Sequence, residues 1–168
     1  MRALGGRSKG VLAVAVLVAS ASCGHQGTGS LQRVTQGSVT VQIPPGWQRK
    51  PGELTFRRQE GGRTVAFIAV DQVPTRGRPA GEVLAALRAS ALTGQRTVET
   101  ERTTTWKGMA TDDLVWSGRL KDGRSVRGVQ RFVTTPGAIV AIFWYVPSSD
   151  WDREHTAMEQ IADSVEIK

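Results

Sequence analysis

The segment from Ala138 to Val146 constrains the fold more than any other part of the sequence. It is apolar at both alternating sets of positions, whereas a strand with one face in water alternates apolar with polar residues. Other elements must therefore cover both faces of this strand. We predict that it lies at the centre of a sheet.

Shorter strand patterns surround this segment, and residues typical of turns separate them. The predicted strands cover residues 38–43, 54–57, 65–73, 98–106, 114–120 and 125–134. Short turns such as Lys107-Gly108 and Thr135-Pro136-Gly137 join the later strands. Neighbouring strands joined in this way run antiparallel and form a meander.

Two segments have apolar residues at helical spacing. The first follows Pro79, a residue suited to the first turn of a helix, and ends at Gly94. The second follows the possible N-caps at 148–150, and its apolar stripe consists of Trp151, Met158, Ile161, Ala162 and Val165. The order of strands, helix, strands and helix predicts an α+β domain.

The first residues have the three-part layout of a secretory signal peptide. Three basic residues, Arg2, Arg7 and Lys9, precede an uncharged apolar run at 11–19, and small residues follow up to Cys23. The apolar run is far shorter than the roughly 20 residues needed to span a bilayer. We therefore predict a cleaved signal rather than a permanent transmembrane helix.

Cys23, the only cysteine, stands at the expected cleavage site, after Ala21 and Ser22. This arrangement resembles the lipobox of bacterial lipoproteins, although Ser20 stands where Leu, Val or Ile is usual. The resemblance implies that Cys23 is lipidated and anchors the protein to the outer face of the cell membrane. We predict a signal peptide at 1–22, a flexible tether at 23–36 and one domain at 37–168. The alternative is an ordinary secretory signal with an incidental cysteine.

The charge of the chain is a weak guide to its partners. The full sequence has 22 Lys+Arg against 15 Asp+Glu, a net charge of +7. Without Arg2, Arg7 and Lys9 in the signal peptide, the net charge falls to +4. This mild excess is compatible with an anionic headgroup or an acidic partner, and we do not predict nucleic-acid binding.

The order of elements resembles a known superfamily. The strand at 38–43 that leads into Pro44-Pro45-Gly46-Trp47 resembles the start of LpqN/LpqT-type lipoproteins and their PsbP-like and Mog-like relatives. Arg131-Phe132-Val133, the hydrophobic strand and the last helix resemble the end of these proteins. The resemblance implies an antiparallel sheet with helices on both sides. It also implies a non-catalytic role in binding or assembly, with no motif of functional residues to transfer.

The sequence offers few residues for catalysis or for metal binding. Beyond the signal peptide, the histidines are His25 in the tether and His155 in the last helix, where packing is expected. Asp112 and Asp113 are adjacent on a strand, so their side chains point to opposite faces. We therefore predict no enzyme activity, no metal site and no cofactor.

The hairpin around Lys121-Asp122-Gly123 offers a candidate binding surface. With these residues as the loop and Gly123 in the left-handed region, two sets of side chains segregate. The apolar set is Leu114, Trp116, Leu120, Val126 and Phe132, and the polar set is Ser117, Arg119, Ser125, Arg127 and Arg131. Lys121 and Arg124 lie at the tip. This face is either a solvated face, with Glu99 or Glu101 opposite the arginines, or a site for an anionic partner.

These observations favour a binding or accessory lipoprotein of the cell envelope. Its expected partners are the membrane, through the N-terminal lipid, and another envelope protein, an anionic lipid or a glycan. The alternative is a carrier that holds a lipid or another hydrophobic ligand in a cavity between sheet and helix.

Overall fold

The computed structural model describes residues 30–91 and 96–168. These ranges contain ten strands and two α-helices. In chain order the elements are β1 (Gln32–Gln36), β2 (Val39–Ile43), β3 (Gln48–Arg49), β4 (Leu54–Glu60), β5 (Arg63–Pro74), α1 (Ala80–Ala91), β6 (Arg96–Trp106), β7 (Met109–Arg119), β8 (Ser125–Thr135), β9 (Ala138–Pro147), α2 (Trp151–Asp163) and β10 (Glu166–Ile167). A 3₁₀ turn at Ser148–Asp150 connects β9 to α2.

Seven strands form the main sheet in the order β3-β4-β5-β9-β8-β7-β6. All neighbours in this sheet are antiparallel, and β9 is the middle strand. This confirms the central position predicted from the apolar residues on both faces of 138–146. The main sheet and the two helices make an α+β fold, as predicted.

The two helices cover opposite faces of the main sheet. On one face, Met158 and Ile161 of α2 belong to the core that contains Ile142 and Trp144 of β9. On the other face, Val83 of α1 packs in a cluster with Leu114, Phe132 and Ile139. A small sheet of β1, β2 and β10 adds Val34, Val41 and Ile43 to the α2-side core. The prediction of helices on both sides is confirmed.

The domain begins earlier than the predicted boundary at residue 37. Residues 32–36, assigned to the tether, form β1 and pair with β2, with Gln36 opposite Val39. Gly37, with φ +59°, and Ser38 make the tight connection. Val34 is the one residue of β1 that is buried. The tether prediction is wrong for this strand because a mostly polar edge strand shows too little apolar alternation to be recognised.

Several predictions lie outside the described residues. These are the signal peptide, Cys23, His25, the tether up to residue 29 and the end of the first helix at Gly94. Within 30–91 and 96–168, neither helix is long and apolar enough to cross a membrane.

Candidate binding surfaces

The predicted register of the β7–β8 hairpin is confirmed. Arg119 lies opposite Ser125, and Ser117 lies opposite Arg127. The N–H of Leu120 donates to the carbonyl oxygen of Arg124 at 2.9 Å, which closes the loop. Gly123 has φ +83°, the left-handed conformation that its position requires. The two strands therefore separate the apolar and polar side chains as expected.

Arg131 corrects the prediction of an open cationic face. Helix α2 covers this end of the polar face, and the Arg131 side chain is only 8% exposed. Its Nε donates to Asp113 Oδ1 at 2.9 Å and its Nη1 donates to Asp163 Oδ1 at 2.9 Å. Its Nη2 lies 3.3 Å from Glu159 Oε2. Arg131 is therefore an interior ion-pair residue that links β8 to β7 and α2.

Burial and neighbouring charges have opposite effects on the pKa values of Arg131 and Glu159 in this cluster. Burial lowers the pKa of Arg131, but hydrogen bonding and attraction to Asp113 raise it, and the net result is a raised pKa. Burial raises the pKa of Glu159, and the charge of Arg131 only partly counters that effect. The guanidinium of Arg131 therefore stays charged and holds the acidic groups around it.

Arg127 and Arg124 are paired as well. The Nη2 of Arg127 lies 2.6 Å from Glu99 Oε2, and its guanidinium carbon lies 4.3 Å from the Trp151 ring centroid. Glu99 sits where the β6–β7 register shifts, between Val98 and Thr100. Arg124 Nε donates to Asp122 Oδ2 at 2.7 Å. Of the two acids expected opposite the arginines, Glu99 is there, whereas Glu101 pairs with Arg88 of α1.

The remaining part of the polar face lines an open hollow of about 490 Å³, which we call the arginine hollow. Its lining residues are Arg96, Thr97, Ser117, Gly118, Arg119, Ser125 and Ser148. Arg119 is exposed, as is Lys121 at the hairpin tip. Of the five predicted surface residues, Arg119 alone lines this hollow, because Arg131 is covered by α2 and Arg127 is engaged by Glu99.

Four aromatic side chains on the α1 side of the sheet form a second feature, which we call the aromatic platform. It consists of Phe67, Trp116, Phe143 and Tyr145. Trp116 stacks on Phe143 with centroids 5.3 Å apart, and Phe67 stacks on Tyr145 at 5.0 Å. The Trp116 ring crosses over β8 at Gly128, where a side chain would obstruct it. Phe67, Phe143 and Tyr145 are only partly buried.

A groove of about 380 Å³ runs between this platform and α1. Leu87 and Ser90 of α1 line one side, and Phe67 and Phe143 line the platform side. Arg96 also lines this groove, and its guanidinium carbon lies 4.7 Å from the Trp116 ring centroid. Trp116 belongs to the apolar set predicted for the hairpin, and it is buried. The sequence pattern did not predict the platform, although Phe143 and Tyr145 share one side of β9.

A third feature is an apolar groove of about 440 Å³ beside α2. Met158, Ile161 and Ala157 line it from the helix, and Pro44, Pro45, Trp47 and Leu31 line it from the other side. Among the described residues, Leu31 is the one large apolar side chain that is exposed, at 56%. Arg58 and Glu154, which form an ion pair with each other, also line this groove.

Within the described residues, the candidates for catalysis are occupied by structural contacts. His155 packs against Trp151 with ring centroids 4.8 Å apart, which confirms its predicted packing role. Thr103 donates to Asp112 at 2.6 Å, and Asp113 bonds Arg131. No group of three or more His, Cys, Asp and Glu side chains in 30–91 and 96–168 is placed to hold a metal ion.

Comparison with known proteins identifies the fold. No protein-family model and no curated protein matches the chain. The solved structure of CyanoP, a cyanobacterial PsbP from Synechocystis, is similar with TM-score 0.57 and 18% identity over 88% of this chain and 98% of that one. LpqN of Mycobacterium tuberculosis has TM-score 0.57 and 14% identity over 86% and 87%. A Mog1 structure has TM-score 0.50 and 14% identity over 83% and 96%. The chain therefore has the PsbP/Mog1-like α+β fold.

Proposed function

We propose that this chain is a non-catalytic lipoprotein, anchored through Cys23 to the outer face of the cell membrane, that works as a binding or accessory module for another envelope protein. The observation that carries the proposal is the aromatic platform beside α1. LpqN, a structural neighbour of this chain, is involved in cell envelope biogenesis. We extend an envelope role to this chain as part of the proposal.

The platform has the properties of a protein contact surface. Aromatic side chains are enriched in such surfaces because they bring a large apolar area and lose little rotamer entropy on binding. Here Phe67, Phe143 and Tyr145 are partly exposed and also stack on one another, which limits their motion before a partner arrives. Asp71, Gln130 and Arg96 add polar groups around the groove, as at the rim of an interface.

Site-specific photo-cross-linking in cells tests this contact. A photoreactive phenylalanine analogue in place of Phe67 in the full chain is expected to form a covalent adduct with one envelope protein. The same analogue in place of Arg78, which is exposed on the loop before α1, is the control and is expected to give no such adduct. Immunoblotting and mass spectrometry compare the adducts formed at the two positions. The absence of an adduct at Phe67, or identical adducts at both positions, would contradict a partner-binding platform.

The anchor has its own test. Cys23→Ala removes the only thiol, so membrane association and incorporation of labelled palmitate are both expected to be lost. Ser22→Ala keeps a small residue before the cysteine and is expected to retain both. Fractionation of cells and labelling of the two variants measure this. A Cys23→Ala protein that still carries label in the membrane fraction would argue against lipidation.

The apolar groove beside α2 supports a second candidate, a carrier of a lipid or another hydrophobic ligand. Its volume lies within the range of small-molecule sites, about 300–1,000 Å³, and its lining is largely apolar. The two functions predict different results for the purified protein. Native mass spectrometry that finds one bound lipid per chain would favour the carrier, whereas a chain without lipid that still forms the Phe67 adduct would favour the contact module.

A further inference from the structure

We propose that the outer edge of β6 pairs with β6 of a second copy of this chain, which joins the two main sheets into one. The strand β6 ends the main sheet, and β7 is its only strand neighbour among the described residues. This edge is separate from the aromatic platform, so the inference goes beyond the protein-contact function proposed above. Three features carry it: the hydrogen-bonding groups of the edge, its lack of the usual protection, and a register in which two copies fit each other.

The turn after β6 shows which backbone groups face outward. Lys107 and Gly108, with φ +52° and +79°, form a two-residue turn between the paired residues Trp106 and Met109. In such a hairpin the flanking pair exchanges both backbone hydrogen bonds, and the direction then alternates along the strand. The residues whose N–H and C=O point away from β7 are therefore Glu101, Thr103 and Thr105. Within 30–91 and 96–168, no other strand or turn pairs with these groups.

The β6 edge lacks most of the features that protect sheet edges. Such edges are commonly short, or they carry lysine, proline or a bulge. The opposite edge of the main sheet is the two-residue strand β3, whereas β6 has eleven residues with no lysine and no proline. Its bulge lies between Val98 and Thr100, so residues 100–106 pair regularly with β7. The charged side chains in this stretch are bound within the chain, Glu101 by Arg88 and Arg102 by Asp113. A regular edge is therefore available to a second strand.

Two copies of residues 100–106 fit each other in one antiparallel register, with Thr103 on a twofold axis perpendicular to the sheet. The opposed pairs are then Thr100 with Trp106, Glu101 with Thr105, and Arg102 with Thr104. The whole stretch is paired, the residues with outward backbone groups face one another, and no like charges are opposed. An axis at Arg102 would place this charge opposite its own copy, which is unfavourable, and an axis at Thr104 would pair only residues 102–106.

The same axis gives both copies one orientation relative to the membrane. A twofold axis perpendicular to the sheet leaves α2 on the same side of the joined sheet in both copies. The small sheet that contains β1 also lies on that side, since Val34 belongs to the α2-side core. Two chains anchored through their N-terminal lipids can therefore pair while both face one membrane. This part of the inference rests on the anchor proposed above.

Cysteine cross-linking of the full chain in cells tests the register. Thr103→Cys places a thiol on the axis, opposite its own copy, so a short thiol-specific cross-linker is expected to give a covalent dimer. Thr105→Cys is the matched control, because position 105 is equally exposed but lies about 13 Å from its own copy along the strand direction. It is expected to give little dimer, and the parent chain measures any reaction of Cys23. Equal cross-linking at both positions, or a Thr103→Cys adduct with a different protein in place of the dimer, would overturn self-pairing.

Sedimentation equilibrium of the detergent-solubilised full chain tests the edge itself. Thr105→Pro removes an outward N–H, while the hydrogen bonds between β6 and β7 stay in place. It is expected to raise the dissociation constant of the dimer about tenfold, because two hydrogen bonds are lost per dimer, with an unchanged far-ultraviolet circular dichroism spectrum. Thr105→Val keeps the N–H and is expected to dimerise like the parent. A parent that stays monomeric at every concentration, or a Thr105→Pro chain that dimerises equally well, would overturn the proposal. Neither result depends on the adduct at Phe67, so the two proposals fail independently.

Discussion

Replacement of Arg131 by methionine is expected to lower the free energy of unfolding by about 3 kcal/mol, because removal of one member of a buried ion pair leaves an uncompensated charge. Methionine is an unbranched, flexible side chain that can occupy part of the same space, so the main change is the loss of charge and donors. Asp113 is only 2% exposed and loses two hydrogen bonds from Arg131. Arg102, 3.3 Å from Asp113 but 64% exposed, compensates only in part.

Urea denaturation of Arg131→Met beside Arg127→Met measures this effect. Arg127 lies on the same strand and the same face, but its pair with Glu99 is 35% and 30% exposed. Partly exposed pairs contribute about 0–1 kcal/mol, so the Arg127→Met variant is expected to remain close to the parent. The double variant Arg131→Met with Asp113→Asn should recover part of the loss, since the buried carboxylate is then neutral. Equal stability of the two single variants would show that the Arg131 cluster is no more than a surface pair.

Gly128→Ala is expected to destabilise the fold by about 1–3 kcal/mol, the usual cost of forcing extra volume into a packed site. A Cβ at this position would lie 2.8 Å from Cζ2 of Trp116 and 2.9 Å from Cβ of Tyr145, closer than real Cβ contacts. The carbonyl oxygen of Trp144 would be nearer still, and it belongs to the backbone of the central strand. The tryptophan ring must therefore move away from Phe143, or β8 must separate from β9.

Gly81→Ala is the matched control for that substitution. Gly81 lies in α1, and a Cβ there would meet nothing within 4 Å. Alanine in a helix is favoured over glycine by about 1 kcal/mol, so this variant is expected to gain stability. Thermal unfolding shows whether each variant is less or more stable than the parent protein. Near-ultraviolet circular dichroism of the tryptophans shows whether the platform is disturbed. A Gly128→Ala protein with the parent melting temperature and an unchanged tryptophan spectrum would contradict the crossing of Trp116 over β8.

Arg131 and Gly128 stabilise different parts of the molecule. Arg131 secures α2 to the sheet, and Gly128 lets Trp116 reach Phe143 and support Arg96. The Arg96 guanidinium lies on the same side of the sheet as Trp116 and lines the groove beside α1. Damage at Gly128 is therefore expected to reach the aromatic platform and the groove beside α1, whereas a change at Arg119, on the opposite face of the sheet, is expected to leave both intact.

The sequence by itself determined those features that depend on local periodicity. The apolar residues on both sides of 138–146 required a central strand, and the structure places β9 there. The loop at Lys121-Asp122-Gly123 determined the register of β7 against β8, because a slip by one residue would have mixed the apolar and polar sets. The stripe that includes Met158 and Ile161 predicted the buried side of α2 correctly.

Only the tertiary structure decided what covers each face. Periodicity assigned Arg119, Arg127 and Arg131 to one side of the hairpin, and they do lie there, but it could not show that α2 covers one end of that side. Arg131 is consequently buried among acids that are distant in sequence, while Arg119 lies at the open end. The platform has the same origin, since Phe67, Trp116 and Phe143 come from β5, β7 and β9, which lie near one another only in the folded sheet. β1 was missed because its polar sequence becomes a strand through pairing with β2, an interaction that local patterns do not encode.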